Sequence, residues 1–399
     1  MKILLFIENE QQGGLDTFCK NLIDYWPDKN DTFVIVCNRC HQGIEYLKKI
    51  ERAKVYEHDI FLNWMLIKKL DYFPAILKRL ISKLIRFFLI TSQRTKIIKI
   101  FNNVNCDTLI TINGGYPGGE TCRQANICWD KIYNKKSIHS VHGFAFKPKK
   151  IIRNFEARIT KRLIRSRVKF VAVSEYVKSS LINYPGFESK VTCIHNGTPI
   201  NNSSKQTDSN IKEELMIDDN CIILLMLGAY NINKGHEFLF RCMQLVHNTH
   251  PHCHLITCGS DKVGMENIQI IKKRIYNSNK IHLLPFRENI HSLIKYSDIL
   301  LAAPQHEEAF GLTLIEAMAE SKPIIATDVG GIKEIFGSNY PEIGKIVPKD
   351  NIEMFANNIK YLLDNQTIRK NMGECGKSRA LRYFSAENMA RKYHEILKQ

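Results

Sequence analysis

Two glutamates eight residues apart, Glu308 and Glu316, and a single lysine, Lys234, are the side chains in this 399-residue sequence best suited by type and setting to hold a sugar phosphate. The glutamates lie in PQHEEAFGLTLIEAMA, Pro304 to Ala319, between a β-rich run and a helical one. A helix starting near Gly311 would offer the backbone N–H groups of Phe310, Gly311 and Leu312, with the positive end of its dipole, to a phosphate. Glu308 would precede that helix and Glu316 would lie about a turn inside it, so two carboxylates could bracket one ligand through paired hydrogen bonds to vicinal hydroxyls. In LGAYNINKGHE a strand ends at Gly228 and a helix begins after Gly235. Lys234 then sits at the carboxyl end of a sheet, where an ammonium can neutralise a departing diphosphate. Neither feature decides alone: many surface helices carry such a glutamate pair, and a loop lysine is often merely solvated.

Two further features share that setting. Gly13 and Gly14 follow the first β-rich run and precede a helix, as close backbone approach to a ligand requires, although a plain turn would use them equally well. His142 lies just past the run Ser137 to Val141, where its imidazole can bond a substrate hydroxyl or serve as a satisfied structural histidine.

The elements that must position these residues alternate strand and helix. The runs Lys2 to Ile7, Thr32 to Cys37, Lys54 to Glu57, Asp107 to Ile112, Ser137 to Val141, Lys169 to Val173 and Val191 to His195 form a first set. Cys221 to Leu227, His254 to Cys258, Lys280 to Leu284, Asp298 to Ala302, Pro323 to Thr327 and Lys345 to Val347 form a second. Helical stretches fill the gaps, which predicts an α/β chain of two doubly wound, Rossmann-like parallel sheets whose carboxyl ends face one cleft. The domains expected are 1–200, 201–380 and a C-terminal helix, 381–399, lying back on the first domain. The polar stretch Thr198 to Asn210 reads as the linker.

Composition narrows the class. A chain of this length with 44% hydrophobic residues suits two cores better than one. No run of about 18 apolar residues occurs, and twelve cysteines from Cys19 to Cys375 lack a disulfide framework, so a reduced, cytoplasmic protein is expected. The formal charge is +17, and residues 1–200 carry 33 Lys and Arg against 17 Asp and Glu. Much of that excess lies on two amphipathic stretches. In one, Leu77, Leu80, Ile81, Leu84, Ile85 and Phe88 form an apolar stripe; the other, Lys147 to Lys169, has ten basic residues against Glu156 and a stripe of Ile152, Phe155, Ile159 and Leu163. Such stripes either pack on the protein's own sheet, leaving a solvated basic face, or enter the headgroups of an anionic membrane. Nucleic acid is not expected as a partner, because no reading motif or interleaved aromatics accompany the charge.

Other patterns carry less. Cys37 to His41, CNRCH, matches a haem-attachment spacing without an export signal, and His247, His250, His252, Cys253 and His254 resemble metal ligands only by crowding. There is no Walker A loop, no G-x-G-x-x-G, no G-x-S-x-G and no Asp-x-Asp pair, so neither a cofactor nor a metal is expected.

Taken together, EAFGLTLIEAM, NKGHEFL, VAVSEYVKSSL with IHNG, and GGLDTFCKNL make the chain resemble glycosyltransferase family 4, whose members have the GT-B fold, over nearly its whole length. The resemblance implies a retaining, metal-independent hexosyltransferase using a nucleotide sugar. Lys234 would hold the donor diphosphate with the N–H groups of Phe310, Gly311 and Leu312, Glu316 the ribose and Glu308 the transferred sugar. Gly13 and Gly14 would approach the diphosphate, and His142 would lie beside the sugar, with Glu308 and His142 nearest the reacting centre. Ala229 stands where many relatives carry arginine, which places neutralisation on Lys234 and the helix N-terminus. The acceptor implied is a saccharide, lipid-linked if the basic stretches bind membrane, in synthesis of a surface polysaccharide such as O-antigen, capsule or lipopolysaccharide, on the inner face of the cell membrane. The alternatives are a GT-B nucleotide-sugar 2-epimerase and a non-catalytic GT-B partner subunit.

Overall fold

The computed structural model describes residues 1–62, 65–66, 69–70, 72, 74–148, 150–200, 210–275, 278–337 and 340–398. The chain divides into two compact units, Met1–His195 with Ala390–Gln399, and Asn196–Met389. Of the expected linker, residues 201–209 lie outside the described residues. At its start Thr198 is tied down, its N–H donating to the Phe384 carbonyl at 2.8 Å and its carbonyl accepting from Ala386 N at 3.0 Å.

The first unit carries β1 (Lys2–Glu8), β2 (Thr32–Asn38), β3 (Ala53–His58), β4 (Thr108–Asn113), β5 (Ser137–Val141), β6 (Val168–Ala172) and β7 (Val191–Cys193) in the order β3-β2-β1-β4-β5-β6-β7, every pair parallel. The second carries β8 (Ile222–Leu227), β9 (Cys253–Gly259), β10 (Ile281–Pro285), β11 (Ile299–Ala302), β12 (Ile324–Thr327) and β13 (Gly344–Val347) in the order β10-β9-β8-β11-β12-β13, again all parallel. Each expected strand is present, with its ends shifted by at most two residues. The central strands are continuous apolar runs such as Ile3–Ile7 and Ile223–Met226, buried on both faces, as strands covered by helices on either side must be. In each sheet the strand order reverses once, between β1 and β4 and between β8 and β11. At such a reversal the loops leaving adjacent strands part to opposite faces and open a crevice at the carboxyl ends.

The basic segment of the first unit folds as the helix Arg153–Arg165. Two residues of its apolar stripe, Ile159 and Leu163, are buried and cover the unit's own core, while Ile152 and Phe155 are half-buried. Its one acid, Glu156, is also buried, 2.5 Å from the buried Arg123 guanidinium, which itself lies over the Tyr116 ring. What remains outside is basic: Arg153, Arg158, Lys161, Arg162 and Arg165 are exposed, followed by Arg167 and Lys169. A helix joining β5 to β6 has to cover the sheet, and that demand takes the apolar residues first. In the other amphipathic stretch, within the helix Ala75–Val104, the side chains of Leu77, Leu80 and Leu84 lie outside the described residues, while Ile85 and Phe88 are exposed. No helix among the described residues is long and apolar enough to cross a membrane.

Candidate functional site

At the reversal of the second sheet, the chain leaves β8 through a short turn of 3₁₀ helix, Ile232–Lys234. The Asn231 side chain caps that turn by accepting from Asn233 N at 3.1 Å, and Gly235 ends it at φ 77°. The turn is fastened to the neighbouring loop, where Gln305 N donates to the Asn233 carbonyl at 3.0 Å. A Cβ on Gly235 would lie 1.8 Å from the Ala303 carbonyl, so the two loops approach as closely as backbone allows. That approach brings Lys234 Nζ to 2.6 Å from Glu308 Oε2.

Glu308 is held from the other side by the turn after β12. Gly331 N donates to its carbonyl at 2.8 Å, and a Cβ on Gly330, at φ 58°, would stand 2.1 Å from the same oxygen. Three residues on, Gly311 at φ 98° turns the chain into the helix Leu312–Ala319. No acidic residue occupies that helix's first turn, so its positive end is not neutralised from within. The Phe310 side chain is buried edge-on against Phe384, their ring centroids 5.8 Å apart, which pins the chain just before the helix starts.

Glu316, half-buried one turn along this helix, has no hydrogen-bond or ion-pair partner for its carboxylate among the described residues. Desolvation pushes it up to about 8. The native state therefore holds a proton that the unfolded chain gives up near the ordinary value of 4.5. The stability this confers is complete below that value and falls as the pH rises through about 8. A thermal-denaturation series from acid to alkaline pH should show Glu316→Gln losing less stability than wild type across this window; parallel curves would rule the shift out.

In the first unit, Gly13 precedes the helix Gly14–Asp24, and its N–H donates to Asp16 Oδ2 at 2.8 Å. A Cβ on Gly13 would meet nothing within 4 Å, so packing inside this unit does not demand glycine there. His142 follows β5; its Nε2 lies 2.9 Å from Ser140 Oγ, and its ring meets that of Phe18 edge-on at 4.3 Å. Burial drives the His142 pKa down to about 3, so the imidazole is neutral. A Cβ on Gly143 would stand 2.3 Å from the Gly114 carbonyl, which sets the His142 loop directly against the glycine-rich exit of β4.

The structure thus joins Lys234 to Glu308, places Phe310, Gly311, Leu312 and Glu316 on the adjoining loop and helix, and sets His142, Gly13 and Gly14 in the other unit. Sequence reasoning passed over the supports: Gly330 and Gly331, Gln305, Gly114 and Ser140. The doublets GG after β4 and after β12 were the signal that could have found the glycines, since paired glycines at strand exits mark close backbone approach; no local pattern marks Gln305 or Ser140.

The haem-like and metal-like patterns dissolve into structural bonds. Cys37 is buried in β2 and His41 Nε2 pairs with the buried Asp16 at 2.8 Å. His247 bonds the Cys253 carbonyl, His250 bonds Asp364 and His254 bonds His282, so these histidines serve three separate places. Among the described residues, the side chains that converge with metal-ligand spacing are Asp28, Asp31 and His394; there Asp31 already accepts from Trp26 Nε1 at 2.8 Å and pairs with the amino terminus.

Residues 12–202 match the model for Glycosyltransferase Family 4, and residues 207–379 match that for Glycosyl transferases group 1. The chain belongs to glycosyltransferase family 4. Similar proteins include an uncharacterized glycosyltransferase, MJ1178, of Methanocaldococcus jannaschii, 29% identical over a stretch covering 52% of this chain and 53% of that one. The capsular polysaccharide biosynthesis glycosyltransferase CapM of Staphylococcus aureus is 24% identical over 66% of this chain and 71% of its own length. The chain therefore spans about half the length of the first relative and more than two thirds of the second. Among solved structures, Anabaena HepE in complex with UDP-glucose superposes with a TM-score of 0.75 at 15% identity, covering 100% of this chain and 99% of that one. The fold is that of the GT-B glycosyltransferases. For a member of family 4 the alanine at position 229 matters locally: its carbonyl accepts from His236 Nε2 at 3.1 Å, so this position contributes backbone and no cation.

Proposed function

We propose that the protein transfers a hexosyl group from a nucleotide sugar to a saccharide acceptor with retention of the anomeric configuration. The observation that carries this reading is the convergence of the Lys234–Glu308 pair and the N-terminus of helix Leu312–Ala319 at the strand-order reversal of the second sheet. With no donor bound, the ammonium and the carboxylate satisfy each other. A diphosphate draws Lys234 away and settles on the helix N-terminus, which leaves Glu308 to accept from hydroxyls of the sugar. Glu316, unpartnered, takes the ribose hydroxyls, and the family resemblance assigns Gly13, Gly14 and His142 to the donor as well. Leaving-group charge is met by Lys234 and the helix dipole, so the step calls for no metal, consistent with the lack of an Asp-x-Asp pair. That HepE holds UDP-glucose and CapM is named for capsular polysaccharide supports a nucleotide sugar as donor and a surface polysaccharide as product.

A panel of nucleotide sugars should contain one that raises the melting temperature by mass action. With that donor, nucleoside diphosphate should be released when a lipid-linked saccharide is added, EDTA should leave the rate unchanged, and NMR of the product should show the donor's anomeric configuration. Inversion, or loss of rate in EDTA, would contradict the corresponding part of the proposal; full activity on free sugars would contradict the lipid-linked acceptor.

The acceptor's location follows from the charge on the first unit. The exposed Arg153, Arg158, Lys161, Arg162 and Arg165 bind an anionic membrane surface by charge. The expected result is sedimentation with anionic vesicles that is reversed by about 0.5 M salt, since screening then reaches within a few ångströms. Equal partitioning onto neutral vesicles would refute it.

A further inference from the structure

The last helix, Ala386–Lys398, carries Tyr393 into the first unit, where the ring is fully buried and lies edge-on to Phe18 at 5.7 Å. The Tyr393 hydroxyl stands 2.7 Å from Ser140 Oγ, and Ser140 Oγ stands 2.9 Å from His142 Nε2. Three groups in a row share two protons between the hydroxyls, and their directions can be worked out.

Tyr393 has no other hydrogen-bond partner among the described residues. Were Ser140 to donate to it, the phenolic proton would be buried with nothing to accept it, which folded proteins avoid. The phenol therefore donates to Ser140 Oγ. Ser140 likewise has only these two partners among the described residues, so its own proton goes to His142 Nε2, which must accept. A neutral imidazole accepting at Nε2 carries its hydrogen on Nδ1. That Nδ1 has no partner among the described residues and is not among the buried unpaired atoms, so it is the nitrogen open to a ligand.

From this arrangement we infer that Tyr393, acting through Ser140, is a positioning residue that fixes His142 as the Nδ1–H tautomer and so makes it a hydrogen-bond donor to an oxygen of the transferred sugar. The tautomer follows from the hydrogen bonds alone; the sugar as its recipient rests on the transferase reading above. A hydroxyl oxygen of the sugar accepts from that N–H, and a donor fixed in this way keeps the sugar oriented as the anomeric bond breaks and its electrons leave with the diphosphate.

The full chain labelled with ¹⁵N-histidine tests the inference by NMR at neutral pH, with His142→Gln assigning the resonance. The expected spectrum has His142 protonated at Nδ1 in the wild type, and Tyr393→Phe, which keeps the ring and removes only the hydroxyl, mixes the two tautomers. Ser140→Ala should do the same. A wild-type His142 protonated at Nε2, or a tautomer unmoved by both substitutions, overturns the inference. In turnover assays Tyr393→Phe should lower kcat about tenfold with donor KM within a factor of about two. It should add nothing in a His142→Ala background; an equal loss in both backgrounds would mean a purely structural role and overturn the inference. If His142→Ala alone turns over at the wild-type rate, the placement of His142 beside the sugar is what fails, and the tautomer measurement stands apart from it.

Discussion

Replacing Lys234 by alanine is expected to slow sugar transfer by about a hundred- to a thousandfold while leaving the melting temperature within a degree or two of wild type. The two expectations separate because the ion pair with Glu308 is open to solvent, with side chains 32% and 22% exposed, and such pairs add little to stability. The same ammonium is the one side-chain cation placed by the proposal against the departing diphosphate, since Ala229 supplies none. The comparison to make is kcat at saturating donor, with circular dichroism and thermal melting on the same samples. A variant that melts normally and turns over at the wild-type rate would remove Lys234 from the mechanism. Lys234→Arg should restore part of the loss, because it returns the charge with a different reach.

Gly235→Ala should be costly to fold and function together. The residue sits at φ 77°, a region where a Cβ costs about 1–2 kcal/mol. Its Cβ would also stand 1.8 Å from the Ala303 carbonyl, a backbone atom that cannot swing aside. Moving that backbone adds about 1–3 kcal/mol. Together these predict a melting temperature lower by about 10 °C in the second unit's transition, with transfer activity lost because the Lys234 turn no longer reaches Glu308. Gly13→Ala is the contrasting case. Its Cβ meets nothing within 4 Å, so its melting temperature should be unchanged. An unaltered melt for Gly235→Ala would show that the Ala303 loop can yield and that the site is not rigid there.

Both Lys234 and Gly235 are legible in the chain for a local reason. They fall in a strand-to-helix turn whose limits show in the pattern LLML-GAYNINKG-HEFLF, and Glu308 and Glu316 fall in a similar turn after ILLA. Strand and helix periods are local properties, and a doubly wound sheet gathers the exits of its strands on one edge whatever its detailed packing. The pairing of Lys234 with Glu308, 74 residues apart, is a different kind of fact. It depends on β8 and β11 being neighbours, which the order β10-β9-β8-β11-β12-β13 establishes and no local pattern encodes.

The basic helix shows the same division. Its period of apolar and basic residues is plain in the chain, but the period alone does not say which face is covered. Glu156 reads as a stray acid among ten basic residues until Arg123 meets it in the interior. His41, which completes a metal-like pattern in the chain, is held by Asp16, and Tyr393, unremarkable near the end of the chain, meets Ser140 from 253 residues away. The amino-acid sequence by itself determined the thirteen strands, the two parallel sheets and the loops at which ligand-binding residues must lie, because each rests on periodicity and turn chemistry within a few residues. Only the tertiary structure decided which side chain satisfies which, because those pairings are made by strand order and burial, and a buried polar group takes its partner from wherever the fold brings one.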